Sequence, residues 1–174
     1  MDLKENKNRP ILATVYAIIF LILLLLVKLN SPIVHGIDHI VQSIVFSFTN
    51  EHLTVLISIL TNFGSPVVSL ILASLVLAFV FFKREYAAAI WGFGTLIIGN
   101  GLAWVFKHIA ARPRPALAQR LAPAHGYSFP SGHVFGTTLF VLLLLTLIVP
   151  RIKNHTTQSV IRVLAVIWVI FIML

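Results

Sequence analysis

Residues 53–82 read LTVLISILTNFGSPVVSLILASLVLAFVFF, thirty positions without one Asp, Glu, Lys, Arg or His. A continuous helix rises ~1.5 Å per residue, so this stretch would be ~45 Å long against a hydrocarbon core of ~30 Å. The segment Asn62-Phe63-Gly64-Ser65-Pro66 resolves the mismatch, because Gly, Ser and Pro together end one helix and start another. The expectation is a short helix before the break and a membrane span over 66–82, closed by Lys83-Arg84-Glu85. The fold class that follows is all-α: a polytopic transmembrane helical bundle.

Four further runs repeat the pattern on either side. Residues 11–27 form the first span, ended by Lys28 and the breaker Asn30-Ser31-Pro32. Lys4, Lys7 and Arg9 before that run resemble a signal-peptide head, but the run exceeds the ~7–15 residues of a signal core and no small-x-small site follows. It is read as a retained span. The third span covers 86–106 and ends at Lys107. The fourth opens at Pro130 or Ser131 and ends at Val149-Pro150. The fifth starts near Val160 and is still apolar at Leu174, twelve residues into its charge-free part. A helix stopping in mid-membrane would leave carbonyls unpaired in lipid, so the expectation is a piece of a longer protein. The whole of 1–174 reads as one membrane-embedded domain, incomplete at its C-terminus, with five spans present and the fifth cut short.

Composition agrees with this reading. Of 174 residues, 59% are hydrophobic and 10% charged, with a mean hydropathy of +0.99, too little charge to cover a soluble surface. The net charge of +8 does not indicate nucleic acid, because the cations sit in short clusters between apolar runs, as topology signals do. The absence of cysteine excludes disulfides, thiolate metal sites and a cysteine nucleophile. In residues 33–50, Ile37, Ile40, Val41, Ile44, Val45 and Phe48 recur at helical spacing with Asp38, His39 and Gln42 between them. That is an amphipathic interfacial helix. His35, Asp38 and His39 superficially resemble a metal cluster and are read as a solvated polar face. Gly92, Gly94, Gly99 and Gly101 permit close helix packing in the third span.

With the N-terminus in the cytoplasm, the inner side holds Lys4, Lys7, Arg9, Lys83, Arg84, Arg151, Lys153 and Arg162. The outer side holds Lys28, Lys107, Arg112, Arg114 and Arg120. The bias follows the positive-inside rule. Four of the five outer cations nevertheless lie between 107 and 120, and anion binding explains a cluster on the side that should be depleted. The segment reads Lys107-His108-Ile109-Ala110-Ala111-Arg112-Pro113-Arg114-Pro115, followed after a loop by Pro130-Ser131-Gly132-His133. Lys supplies a compact charge, and Arg a planar fork that takes two oxygens of one phosphate. Ser131 suits the cap of the fourth span, whose first N–H groups have no internal partner and favour an anion. Gly132 lets a ligand approach the backbone, and His133 stands in the first turn where it can exchange a proton.

The combination Lys-x6-Arg-Pro, loop, Pro-Ser-Gly-His resembles the type 2 phosphatidic acid phosphatases, which share their site with vanadium-dependent haloperoxidases. Lys107, Arg114, Pro115, Pro130, Ser131, Gly132 and His133 carry the resemblance, and Tyr127-Ser128-Phe129 looks typical of bacterial members. It implies a six-span core in the plasma (inner) membrane with the site at the outer face. It also implies a lipid phosphate or diphosphate substrate, membrane lipids as surroundings, no metal or other cofactor, and phosphoryl transfer through a phosphohistidine. By position, Lys107, Arg114, Ser131 and Gly132 would bind phosphate and His133 would be the general acid. The family's third motif, Ser-Arg followed by a His nucleophile and its Asp, is not in these 174 residues; the one later histidine, His155, falls in a predicted cytoplasmic loop. The chain alone is therefore expected to bind phosphate or vanadate weakly at best and to turn nothing over. The competing readings are a haloperoxidase, a membrane binding or transport protein whose basic segment touches headgroups, and a non-catalytic lipid-phosphate binder. His108 and His125 read as solvated loop histidines.

Overall fold

A computed structural model describes residues 8–115 and 126–173. Lys4, Lys7, Arg120, His125 and Leu174 lie outside the described residues. The described chain is a helical membrane bundle of α1 (Asn8–Lys28), α2 (Pro32–Phe48), α3 (Glu51–Asn62), α4 (Pro66–Phe82), α5 (Tyr86–Ala110), α6 (Gly132–Leu143) and α7 (His155–Met173). Five helical segments are long and apolar enough to cross a membrane: α1, the α3–α4 unit, α5, α6 with its extension to Arg151, and α7. Their outward faces are covered with large apolar side chains such as Ile22, Leu75, Ile98 and Ile167, the surface that a lipid solvent requires of an integral membrane protein.

Local chemistry sets each boundary. The break at Phe63-Gly64-Ser65 separates α3 from α4, and Ser65 caps α4 by accepting from the Val68 N–H at 3.4 Å, with Pro66 in the first turn. Pro is tolerated there because that N–H would have no helical partner. α5 runs past the expected stop at Phe106 to Ala110. Lys107 and His108 in its last turn favour the helix dipole rather than end the helix. It stops one residue later, where Ala111 adopts the left-handed conformation at φ 46°. α7 starts at His155, earlier than Val160, because the Asn154 side chain accepts from the Thr157 N–H at 3.2 Å. α6 widens over Leu144–Ile148 and tightens over Val149–Arg151, which accommodates Pro150, a residue whose ring clashes with a regular helix.

The middle of the bundle is the seam between α4 and α6, with α5 against both. Val80 and Leu143 are completely buried there, among Ala73, Leu77, Leu96, Leu139 and Leu147. Between membrane helices the drive is close packing, which favours small residues. Gly92 and Gly99, seven apart on one face, provide it: a Cβ at 92 would lie 2.3 Å from Leu77 Cδ2, and one at 99 would lie 3.0 Å from Leu139 Cδ1. Gly94 and Gly101 have nothing within 4 Å of theirs, so half of the expected glycine set packs. At one end of the seam the buried Thr137 hydroxyl donates to the Gly64 carbonyl at 3.2 Å, with Ser69 alongside.

The helices alternate direction and so define two ends. One end gathers the close of α1, the start of α4, the close of α5, the start of α6 and the close of α7: Lys28 Nζ donates to the Ile109 carbonyl at 2.6 Å, Gly132 packs on Pro66 and Gly64 on Ile172. The other end joins α4 to α5 and α6 to α7, and an Arg151–Glu85 ion pair ties those two turns together.

Candidate functional site

At the first end, three elements converge on the loop between α5 and α6. Ala111 turns the chain out of α5, and Pro113 and Pro115 flank Arg114 and limit its backbone. Lys107, on the last turn of α5, extends across to the loop and donates to the carbonyls of Tyr127 at 2.9 Å and Pro130 at 2.8 Å. Arg114 Nε donates to the Gly126 carbonyl at 3.0 Å. The Ser128 N–H donates to the Arg112 carbonyl at 2.9 Å, and the Ser128 hydroxyl donates to the Pro113 carbonyl at 3.1 Å. The segment after α5 and the segment before α6 are thereby laced side by side. Phe129 stacks on Phe20 of α1, which meets Phe106 edge-on, and this aromatic group anchors the loop to the bundle.

Ser131 caps α6, its hydroxyl oxygen accepting from the Val134 N–H at 3.5 Å. Its own O–H remains able to donate. The N–H groups of Gly132 and His133 belong to the first turn and have no helical acceptor. Gly132 also has a packing reason to lack a side chain, since a Cβ would come 3.2 Å from Pro66 Cγ. His133 is exposed at the mouth of the helix. Arg114 is close enough for its charge to act on both Lys107 and His133. All five residues expected at the site from the sequence, Lys107, Arg114, Ser131, Gly132 and His133, thus lie on adjoining turns at one end of the bundle.

The electrostatics of this end are one-sided. Among the described residues there are two ion pairs, Arg112–Asp38 and Arg151–Glu85. Neither Lys107 nor Arg114 has a carboxylate partner among those residues. Two cations, a hydroxyl donor, free helix N–H groups and an imidazole at one place can hold a tetrahedral anion and exchange a proton with it. No group of His, Asp and Glu among the described residues has the arrangement of a metal site.

Two contributors were not evident from the sequence. α2 is a helix as expected, but its polar face is not simply solvated: Asp38 pairs with Arg112, and His35, His39 and Gln42 line a cleft shared with Arg114. The signal was the spacing 35, 38, 39, 42, one stripe of a helix. Lys28, counted as a topology charge, caps the end of α5. His108 is no loop residue: its ring packs against Trp104 and edge-on to Tyr127, with Nδ1 2.7 Å from the Trp104 carbonyl. His155 lies at the opposite end of the bundle from His133.

No curated protein and no solved structure gives a match to this chain. The family model described as PAP2 superfamily matches residues 88–174, half of the chain, and takes in α5, the basic loop, α6 and α7. Lys107, Arg114 and the Pro-Ser-Gly-His segment all fall within the matched region, and on this match the chain belongs to the PAP2 superfamily.

Proposed function

We propose that this protein is a lipid phosphate or diphosphate phosphatase working at the extracytoplasmic face of the plasma membrane. Membership of a superfamily of phosphoesterases gives the reaction class. The observation that carries the finer reading is the pair Lys107 and Arg114, brought together with no carboxylate partner among the described residues beside the free N–H groups that open α6. An anion is the partner such a site lacks, and a monophosphate presents oxygens to both cations and to the helix terminus at once. The site lies at an end of membrane-crossing helices, where a phosphate headgroup resides.

In this reading Lys107 and Arg114 hold the phosphoryl oxygens as charge shifts during transfer, with Ser131 Oγ and the Gly132 N–H donating to the same oxygens. His133, at the exposed mouth, protonates the departing alcohol or phosphate oxygen. The attacking group is the histidine implied by the superfamily, which becomes phosphohistidine as the leaving oxygen departs and which lies outside the motifs found in these 174 residues. The outward orientation is supported by Lys83, Arg84, Arg151 and Lys153 at the opposite end of the bundle, the end that the positive-inside rule assigns to the cytoplasm.

The test is phosphate release from lipid phosphomonoesters and diphosphates by native membranes carrying the natural protein. His133→Ala is expected to slow release about a hundredfold or more, the usual contribution of a positioned proton donor. Unchanged release in that variant would remove the assignment. A non-catalytic lipid-phosphate binder is the second reading, since Lys107, Arg114 and the start of α6 would hold a phosphate whether or not it is cleaved. It predicts phosphate binding that depends on Arg114 and no release under any condition.

A further inference from the structure

α2 has no fully buried residue and rests on the bundle through the half-buried Val34, which packs against Leu24, Val27 and Ala110. Its stripe His35, Asp38, His39 and Gln42 faces the basic loop across a cleft of about 430 Å³. Arg112, Arg114 and Ser128 form the opposite wall. Asp38 has a structural task, since its ion pair with Arg112 fastens α2 to the loop. His35, His39 and Gln42 have none: their side chains are exposed and make no hydrogen bond to another described residue.

The charge of the cleft limits its ligand. Asp38 and Arg112 cancel, and Arg114 is committed to the reacting phosphate. What remains is two imidazoles and the carboxamides of Asn30 and Gln42, groups that both donate and accept. A second phosphate would find no uncommitted cation in the cleft. A hydroxyl, which itself donates and accepts, suits every group on the wall.

We propose that the polar face of α2 is a second subsite, adjoining the phosphate cradle, which reads hydroxyl groups on the moiety attached to the phosphate and so selects polyol phosphates over bare phosphate or diphosphate. This rests on the reading of Lys107 and Arg114 as the phosphate cradle. His39 and Gln42, one turn apart, are the specificity-determining residues, and Asp38 positions the wall by holding Arg112.

Titration calorimetry on the full chain in lipid nanodiscs tests it with four ligands: inorganic phosphate, glycerol 3-phosphate, pyrophosphate and a short-chain phosphatidylglycerol phosphate. Glycerol 3-phosphate is expected to bind about three- to tenfold tighter than phosphate, the gain from one or two added hydrogen bonds. Pyrophosphate is expected to bind no tighter than phosphate. In the double variant His39→Leu/Gln42→Leu the glycerol 3-phosphate affinity should fall to the phosphate value. Further tightening with the short-chain lipid assigns the ligand to the membrane and equal affinity assigns it to solution, and either supports the subsite. Equal binding of phosphate and glycerol 3-phosphate by the unaltered chain, or tightest binding of pyrophosphate, overturns the proposal and leaves the cradle standing. If phosphate itself fails to bind, the cradle falls and the subsite with it.

Discussion

Among the described residues, each end of the bundle carries one ion pair between residues distant in sequence. At the end joining α4 to α5 and α6 to α7, Arg151 pairs with Glu85. At the other end Arg112 of the basic loop pairs with Asp38 of α2. The first pair holds two turns together. The second stands beside Lys107 and Arg114, which have no carboxylate among the described residues, and beside a helix start with free N–H groups. The same device therefore has two consequences. Cations outnumber the acid at both ends; the pair at the first end fastens two turns, whereas the pair at the second fixes one arginine beside Lys107, Arg114 and a helix start whose free N–H groups can share an anion with them.

The sharpest way to break this contrast is to truncate one arginine at each end. Arg114→Ala is expected to weaken inorganic phosphate binding roughly a hundredfold, since it removes two charge-assisted hydrogen bonds at about 1.5 kcal/mol or more each. Arg151→Ala should leave phosphate binding within about twofold, because at that distance salt screens its charge. Titration of both variants in nanodiscs measures the difference. Equal losses would mean that net charge, and not the geometry of one end, attracts the anion.

The packed middle that joins the two ends supplies a test of intermediate size. Gly92→Ala places a methyl group 2.3 Å from Leu77 Cδ2 and 3.3 Å from both Leu143 and Leu147. Overpacking of this kind costs about 1–3 kcal/mol, and the thermal unfolding midpoint in detergent should drop accordingly. Gly101→Ala, with nothing within 4 Å, should not lower it. If both variants lowered the midpoint alike, the seven-residue glycine face would not be what holds α5 against α4 and α6.

The spans were legible in the sequence because apolar runs of membrane length leave one solution for the backbone. The break at Gly64-Ser65-Pro66 was legible for the same reason, since a 45 Å helix does not fit. That Lys107, Arg114, Ser131, Gly132 and His133 would meet at one end was legible because they lie in two short motifs at the ends of adjoining spans. α2 was read correctly as amphipathic, but nothing in one sequence says what a polar stripe faces. Asp38 meets Arg112 across 74 residues, and that pairing depends on how α1 and α5 pack, not on any local pattern. The glycines divide for a similar reason: Gly92 and Gly99 differ from Gly94 and Gly101 in helical phase, which composition does not report. Lys107 was read as a stop signal, whereas the helix continues to Ala110 because a cation suits the last turn.

The smallest effect comes from neutralising the acid of each ion pair, and it separates the ends most finely. The side chains of Arg151 and Glu85 are 30% and 44% exposed, so Glu85→Gln should cost under about 1 kcal/mol of stability and leave phosphate binding unchanged. Asp38 and Arg112 are 36% and 22% exposed, so Asp38→Asn should cost a similar amount. Its effect on binding has the opposite sign from a simple loss. With the carboxylate neutralised, Arg112 joins Lys107 and Arg114 as an uncompensated cation, and phosphate should bind about twofold tighter at low salt, a gain that shrinks as the ionic strength rises. The preference for glycerol 3-phosphate over phosphate should narrow in the same variant, because the wall is no longer held by its ion pair. Weaker phosphate binding in Asp38→Asn would show that the pair matters for placing the Arg112–Arg114 segment more than for balancing its charge.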